Sequence, residues 1–184
     1  VAIKETLDTL FLCWFSQPKA DRALYRCVRE KKIRTIVELG MASTERTLRL
    51  LKLAKRLSPG AEIHFAGIDL FEARPADQAP MKLKKVHQSL AHCGATVRLI
   101  PGDPLSALAR TANQLAGTQL LVIDGQIDAP AMAQAWTFVP RILAEGAIIL
   151  EANGQTASSG FRLVSSDDVR QRAEQAARIR RLAA

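Results

Sequence analysis

The sequence predicts one α/β domain, a doubly wound and mostly parallel sheet, and three observations lead there. Apolar, β-branched runs alternate with segments of helical periodicity, the pattern of parallel strands covered by helices on both faces. Several of these runs end in an acid, at Glu38, Asp69 and Asp124. The first acid is followed by Leu39-Gly40 and then by small and hydroxyl residues that enter a leucine-rich segment, so Ile33 to Thr47 reads as strand, tight turn and helix. In an open parallel sheet such a turn lies at the carboxyl ends of the strands, where glycine admits a ligand to the backbone and the helix N-terminus presents free N–H groups. The ligand pocket is expected there.

In chain order, Ile3 to Lys32 carries apolar residues at helical spacing (Leu7, Leu10, Phe11 and Trp14, then Ala23, Leu24, Cys27 and Val28). Gln17-Pro18 divides the segment into two helices, because proline disfavours helix in the residue before it. Trp14 and Phe15 are expected in the core, as aromatics at helical spacing, with a cap over a substrate pocket as the other reading. Leu50, Leu53, Ala54 and Leu57 predict a helix lying on the sheet, closed by Ser58-Pro59-Gly60. Glu62 to Asp69 is the second strand, and a proline-bounded loop, Arg74 to Pro80, leads to a basic helix from Met81 to His92. Thr96 to Ile100 is the third strand, Leu105 to Leu115 a helix, and Gln119 to Asp124 the fourth strand. Pro130 opens a helix through Trp136 and Ile142, and Ala147 to Glu151 is the fifth strand. After a polar stretch, Asn153 to Gly160, Phe161 to Val164 can form a short strand before an arginine-rich helix, Asp167 to Leu182. The expected organisation is a single domain over 1–184, with a helical extension (1–32), a parallel core (33–151) and a closing strand and helix (152–184).

A length of 184 residues suffices to bury one core, and 48% hydrophobic with 24% charged residues excludes a disordered chain. No run approaches the roughly 20 apolar residues that span a bilayer, and Leu10 to Phe15 lacks the basic leader and cleavage site of a signal peptide. Cys13, Cys27 and Cys93 are widely spaced without a C-x-x-C, so neither a disulfide framework nor a zinc knuckle is supported, and a reducing, cytoplasmic location is expected. His87 and His92, five apart, do not share a helix face as a metal pair would. The net charge of +8 fits either solvated arginine-rich helices or an anionic partner such as RNA. For RNA, Lys31, Lys32, Arg34, Arg178, Arg180 and Arg181 are expected to form one continuous basic face.

The dinucleotide fingerprint G-x-G-x-x-G laid on Gly40 needs glycine at Ala42 and at Glu45, where a carboxylate would face a pyrophosphate. The pattern apolar-apolar-Glu-apolar-Gly over Ile36 to Gly40 resembles instead motif I of the class I S-adenosylmethionine-dependent methyltransferases, with Ala42 and Thr44 where that family has further glycines. Glu38-Leu39-Gly40, Asp69, Gly102-Asp103 and Val122-Ile123-Asp124-Gly125 then follow successive strands in that family's order, over roughly Ile33 to Glu151. The resemblance implies a Rossmann-like sheet of order 3-2-1-4-5 and S-adenosylmethionine as cofactor. It also implies that Glu38 helps hold the methionine end, with Gly40 and Ala42 in the cofactor turn. Asp69 would take the ribose, Gly102-Asp103 the adenine, and Asp124 would face the transferred methyl. That family normally closes its sheet with an antiparallel pair of strands; here only one candidate strand is visible.

Two of these acids carry a second reading from their own neighbourhoods. Asp69 can open a turn before Arg74-Pro75, although its strand-end position favours a ribose ligand. Asp103 can be the N-cap of a helix with Pro104 at its first position, and the residues alone do not separate that from an adenine contact. Methyl transfer is an in-line displacement that requires orientation of the acceptor and removal of its proton, consistent with the lack of any G-x-S-x-G elbow or P-loop. Asp124 is the expected base or acceptor-positioning group. A metal site from Asp124, Glu151 and Asn153 is weighed and set aside, because the Asp-Asn pair of metal-dependent relatives is broken. Two functional readings follow: a methyltransferase acting on a small molecule or on RNA, and a methyltransferase-like binding protein without catalysis.

Overall fold

The computed structural model describes residues 2–154 and 160–182, so part of the polar stretch Asn153 to Gly160, namely 155–159, lies outside the described residues. Helices α1 (Ala2–Trp14) and α2 (Arg22–Lys31) precede the first strand, β1 (Thr35–Leu39). Then follow α3 (Thr44–Leu57), β2 (His64–Asp69), α4 (Leu83–Leu90), β3 (Thr96–Pro101), α5 (Pro104–Thr111) and β4 (Thr118–Ile123). The chain continues through α6 (Ala129–Ala135), α7 (Val139–Ile142), β5 (Leu143–Ala152), β6 (Phe161–Leu163) and α8 (Ser166–Leu182). The predicted helix from Pro130 to Ile142 is therefore two helices.

The sheet order is β3-β2-β1-β4-β5-β6. Neighbours among the first five strands pair in parallel, and β6 runs antiparallel to β5. The single strand expected after Asn153 thus becomes the edge of the sheet.

Both faces are covered, because alternate residues of the central strands point into two separate apolar clusters. Val37, Leu39, Leu121 and Ile123 pack beneath α5 to α8, whereas Ile36, Leu120 and Val122 pack beneath α2, α3 and α4. On β2, Gly67 makes room for the buried Met41, whose Sδ would lie 2.7 Å from any Cβ placed there.

The expectation that Trp14 and Phe15 lie in the core is not met: they are 50% and 67% exposed, alongside exposed Leu7 and Phe11. α1 instead buries Thr9 and Cys13 on its other side, with Ser16 buried just beyond its end. A helix with apolar residues on two faces carries no periodicity signal for which face is inward. Trp14 lies beneath the Arg26 guanidinium, 5.3 Å from the ring centroid.

Of the basic residues singled out, Lys31 ends α2, Lys32 and Arg34 lie between α2 and β1, and Arg178, Arg180 and Arg181 lie in the last turns of α8. Among the described residues, no helix is long and apolar enough to cross a membrane.

Candidate active site

The turn after β1 is fixed by backbone geometry. Gly40 has φ +71°, the left-handed region that glycine enters without strain, and its N–H donates to Ile68 O at 2.8 Å. The Ser43 hydroxyl caps α3, accepting from Arg46 N at 3.4 Å. The side of Gly40 where a side chain would project is filled from within the chain: an added Cβ would lie 2.9 Å from both Asp124 Cβ and Ile127 Cγ1, so the position admits only glycine.

Glu38 does not face solvent. It is 1% exposed, pairs with the Arg46 guanidinium and accepts from Thr47 Oγ1 at 2.7 Å. The alternation that points Ile36 toward α3 points Glu38 the same way, so its partners come from that helix's first turn. Arg46 also reaches Asp124, with 3.6 Å between Nη1 and Oδ2. Burial works against the Arg46 charge, yet Glu38 foremost, then Asp124 and Asp21, raise its pKa above the usual value.

The fourth member, Asp21, is 4% exposed, and burial raises its pKa above the usual carboxylate value despite the opposing field of Arg46. A carboxyl with a raised folded pKa contributes most below its unfolded pKa and loses that contribution as pH rises through the folded one. Asp21→Asn is therefore expected to raise Tm at neutral pH, with the gain fading as pH falls through the carboxylate range. Thermal melts of both proteins at neutral pH and again below the carboxylate range measure it.

Asp69, expected at a solvent-facing strand end, is instead 6% exposed. Its Oδ2 accepts from Met41 N at 2.8 Å and Arg74 Nη2 at 2.6 Å, and its Oδ1 from Phe71 N at 2.8 Å and Arg74 Nε at 2.7 Å. Phe71 reaches this position with φ +49°, an uncommon conformation for a bulky residue. The Asp69 hydrogen bonds are the main cause raising the Arg74 pKa.

Asp103 caps α5, accepting from Ser106 N at 3.0 Å and from its hydroxyl at 2.5 Å. Burial opposes the charge, but these bonds outweigh it and lower the Asp103 pKa. The N-cap geometry is thus present, and the residue also lines a cavity.

Three cavities meet at the carboxyl ends of the strands. The first, of about 360 Å³, brings together Gly40, Asp69, Gly102, Asp103 and Asp124, with Arg74 and Gln78 on its wall. The second, of about 590 Å³, has an apolar wall of Ile127, Met132, Trp136 and Ile179 opposite Glu151, Arg162 and Arg172. A narrow third, of about 80 Å³, holds Ala42 and Arg46. Asp124 lines all three. Of the cofactor and catalytic candidates singled out in the sequence, only Glu38 lines none of them.

Glu151 is held by Arg162 and by Arg172, the latter 3.0 Å from Oε1. Among the described residues, no group of three His, Cys, Asp or Glu side chains is placed to bind a metal.

Arg46, Arg74 and Ile127 were not singled out in the sequence. Nothing in a basic helix or a loop marks one arginine as buried; the only signal was that Arg46 lies in the first turn after the glycine and Arg74 beside a proline.

No protein-family model and no curated protein matches the chain. Among solved structures, the fold is similar to CalS11, a calicheamicin methyltransferase, with TM-score 0.54 and 16% identity over 85% of this chain and 79% of that one. It is also similar to the MycE methyltransferase of the mycinamycin biosynthetic pathway, solved with Mg and SAH, with TM-score 0.51 and 16% identity over 80% of this chain. The match spans 42% of the MycE chain. The strand order, the edge strand and these likenesses define the architecture as the class I methyltransferase fold.

Proposed function

We propose that the protein is an S-adenosylmethionine-dependent methyltransferase acting on a small-molecule acceptor. The carrying observation is that one carboxylate, Asp124, lines both a cavity at the glycine turn, where Asp69 and Asp103 also lie, and a larger cavity beside α6 and α8. Transfer between two bound molecules needs such a shared boundary. That both similar folds belong to methyltransferases supports the reading.

The cavity at the glycine turn fits a nucleoside-bearing cofactor in kind: carboxylates at the ends of β2 and β4, a cap carboxylate after β3, and a volume within the range of small-molecule sites. Asp69 would hold the ribose and Gly102-Asp103 would border the adenine, while Glu38 acts indirectly by fixing Arg46 beside Asp124. When bound, S-adenosylmethionine supplies an electrophilic methyl group. Asp124 then serves as the base or positioning group for the acceptor's hydroxyl or amine. Trp136, Met132 and Ile127 provide the wall that excludes water from an apolar acceptor body. A small molecule is favoured over RNA because the cavity on the acceptor side, about 590 Å³, has the size of a small-molecule site.

The non-catalytic reading retains one specific observation in its favour, the Asp69 carboxylate already engaged by Arg74. Calorimetric titration separates the two. S-adenosylmethionine and S-adenosylhomocysteine are expected to bind with 1:1 stoichiometry and NAD not to bind. Absence of binding by either S-adenosyl ligand makes the protein a non-catalytic relative.

A further inference from the structure

We infer that Arg74 is an internal competitor for the ribose position: its guanidinium occupies the Asp69 sites that a nucleoside diol requires, so the cofactor enters only when the 74–80 loop releases. This rests on the cofactor reading above and concerns the regulation of that same site.

A carboxylate offers about four lone-pair directions. All four on Asp69 are matched by donors: two backbone N–H groups, of Met41 and Phe71, and two nitrogens of Arg74. The backbone donors belong to the turns after β1 and β2 and are fixed by the sheet. The Arg74 pair is carried by a loop and is the exchangeable half.

The guanidinium is tied down further. Arg74 Nη2 donates to Met41 O at 2.5 Å and Nη1 to Ala79 O at 3.0 Å, so one side chain joins Asp69, the glycine turn and the far end of its own loop. From that loop Gln78 Nε2 donates to Gln126 O at 3.0 Å, and both residues line the same cavity. The loop is thus a strap with two fastenings. The Arg74 fastening is 6% exposed at its side chain, whereas the Gln78 contact is exposed to solvent.

The chemistry predicts competition rather than assistance. A ribose diol donates its two hydroxyl protons to a carboxylate, the role that Arg74 Nε and Nη2 fill in the closed state. The two cannot hold the same lone pairs at once. Ligand binding therefore carries the cost of opening the strap, which lowers apparent affinity by the fraction of molecules that are open.

The test is calorimetry with S-adenosylhomocysteine and its 3′-deoxyadenosyl analogue on the wild type, Arg74→Gln and Gln78→Ala, each checked by circular dichroism. Arg74→Gln is expected to bind S-adenosylhomocysteine at least about tenfold tighter than wild type. The 3′-deoxy analogue, which lacks one of the two donors, is expected to bind more weakly than S-adenosylhomocysteine to every variant and to gain by a similar factor, because it pays the same cost of opening. Gln78→Ala, which unfastens only the exposed contact, should show a gain of about two- to threefold. Unchanged or weaker binding in Arg74→Gln overturns the proposal while leaving the cofactor reading in place. If no variant binds either ligand, both fall together. Should Arg74→Gln not fold, Arg74→Lys, which keeps one charged contact, decides in its stead by the same comparison.

Discussion

Asp69→Ala is expected to lower the stability of the protein by about 3–5 kcal/mol, a loss that breaks a buried ion pair from one side. Read as a ribose ligand at a solvent-facing strand end, Asp69 would be expected to tolerate the change with the fold intact and only cofactor binding weakened. The observed environment reverses it: the substitution removes the acceptor for the N–H groups of Met41 and Phe71 and for two nitrogens of Arg74. Each buried donor left unpaired costs about 1–3 kcal/mol. For a chain of this length the total corresponds to a Tm decrease of roughly 6–20 °C. Differential scanning calorimetry of the ligand-free protein measures it, and a decrease of under about 2 °C, less than 1 kcal/mol is worth at this size, would show that Asp69 is not part of the fold's interior. Reduced S-adenosylhomocysteine binding by this variant consequently says nothing about the ribose, which is why the competition experiment varies Arg74.

Asp124→Asn is expected to abolish most methyl transfer, by roughly 100- to 10,000-fold in kcat, the range for loss of a positioned general base. The fold tolerates the change. The amide that replaces the carboxylate still offers an oxygen to Gln126 N, which donates to Asp124 Oδ1 at 3.0 Å in the native protein, and Arg46 keeps its nearer partner, Glu38. S-adenosylhomocysteine affinity and Tm should stay close to wild type, so the loss appears in turnover alone. Single-turnover transfer of a labelled methyl group to the acceptor makes the comparison. Undiminished transfer would remove Asp124 from the chemistry and leave the 590 Å³ cavity as a site of binding only.

The backbone architecture was legible because it depends on patterns the chain carries locally. Alternating blocks of β-branched and helical periodicity place five parallel strands, and a glycine that must take φ +71° marks the first turn. Asp103 and Pro104 announced a helix start that the structure contains. The family motif at Ile36 to Gly40 then placed Asp69 and Asp124 at strand ends on either side of it, where both line the same cavity.

What each of these acids does was not legible, since that depends on partners distant in sequence or hidden in unmarked segments. Glu38 reads as a ligand group and is a buried anchor for Arg46, eight residues on. Gly40 lines the cavity, but the side on which a Cβ would project is taken by Ile127, from the loop after β4, a neighbour that nothing near Gly40 in sequence announces. Trp14 reads as core because periodicity measures a stripe, and the other stripe of α1 is the one that packs. Local backbone preference and burial period thus placed the strands, helices and turns along the chain, while their order in the sheet followed from the resemblance to the methyltransferase family. Only the tertiary structure decided which carboxylates are free and which are already paired, because a charge taken out of water must find its partner wherever the fold has placed one.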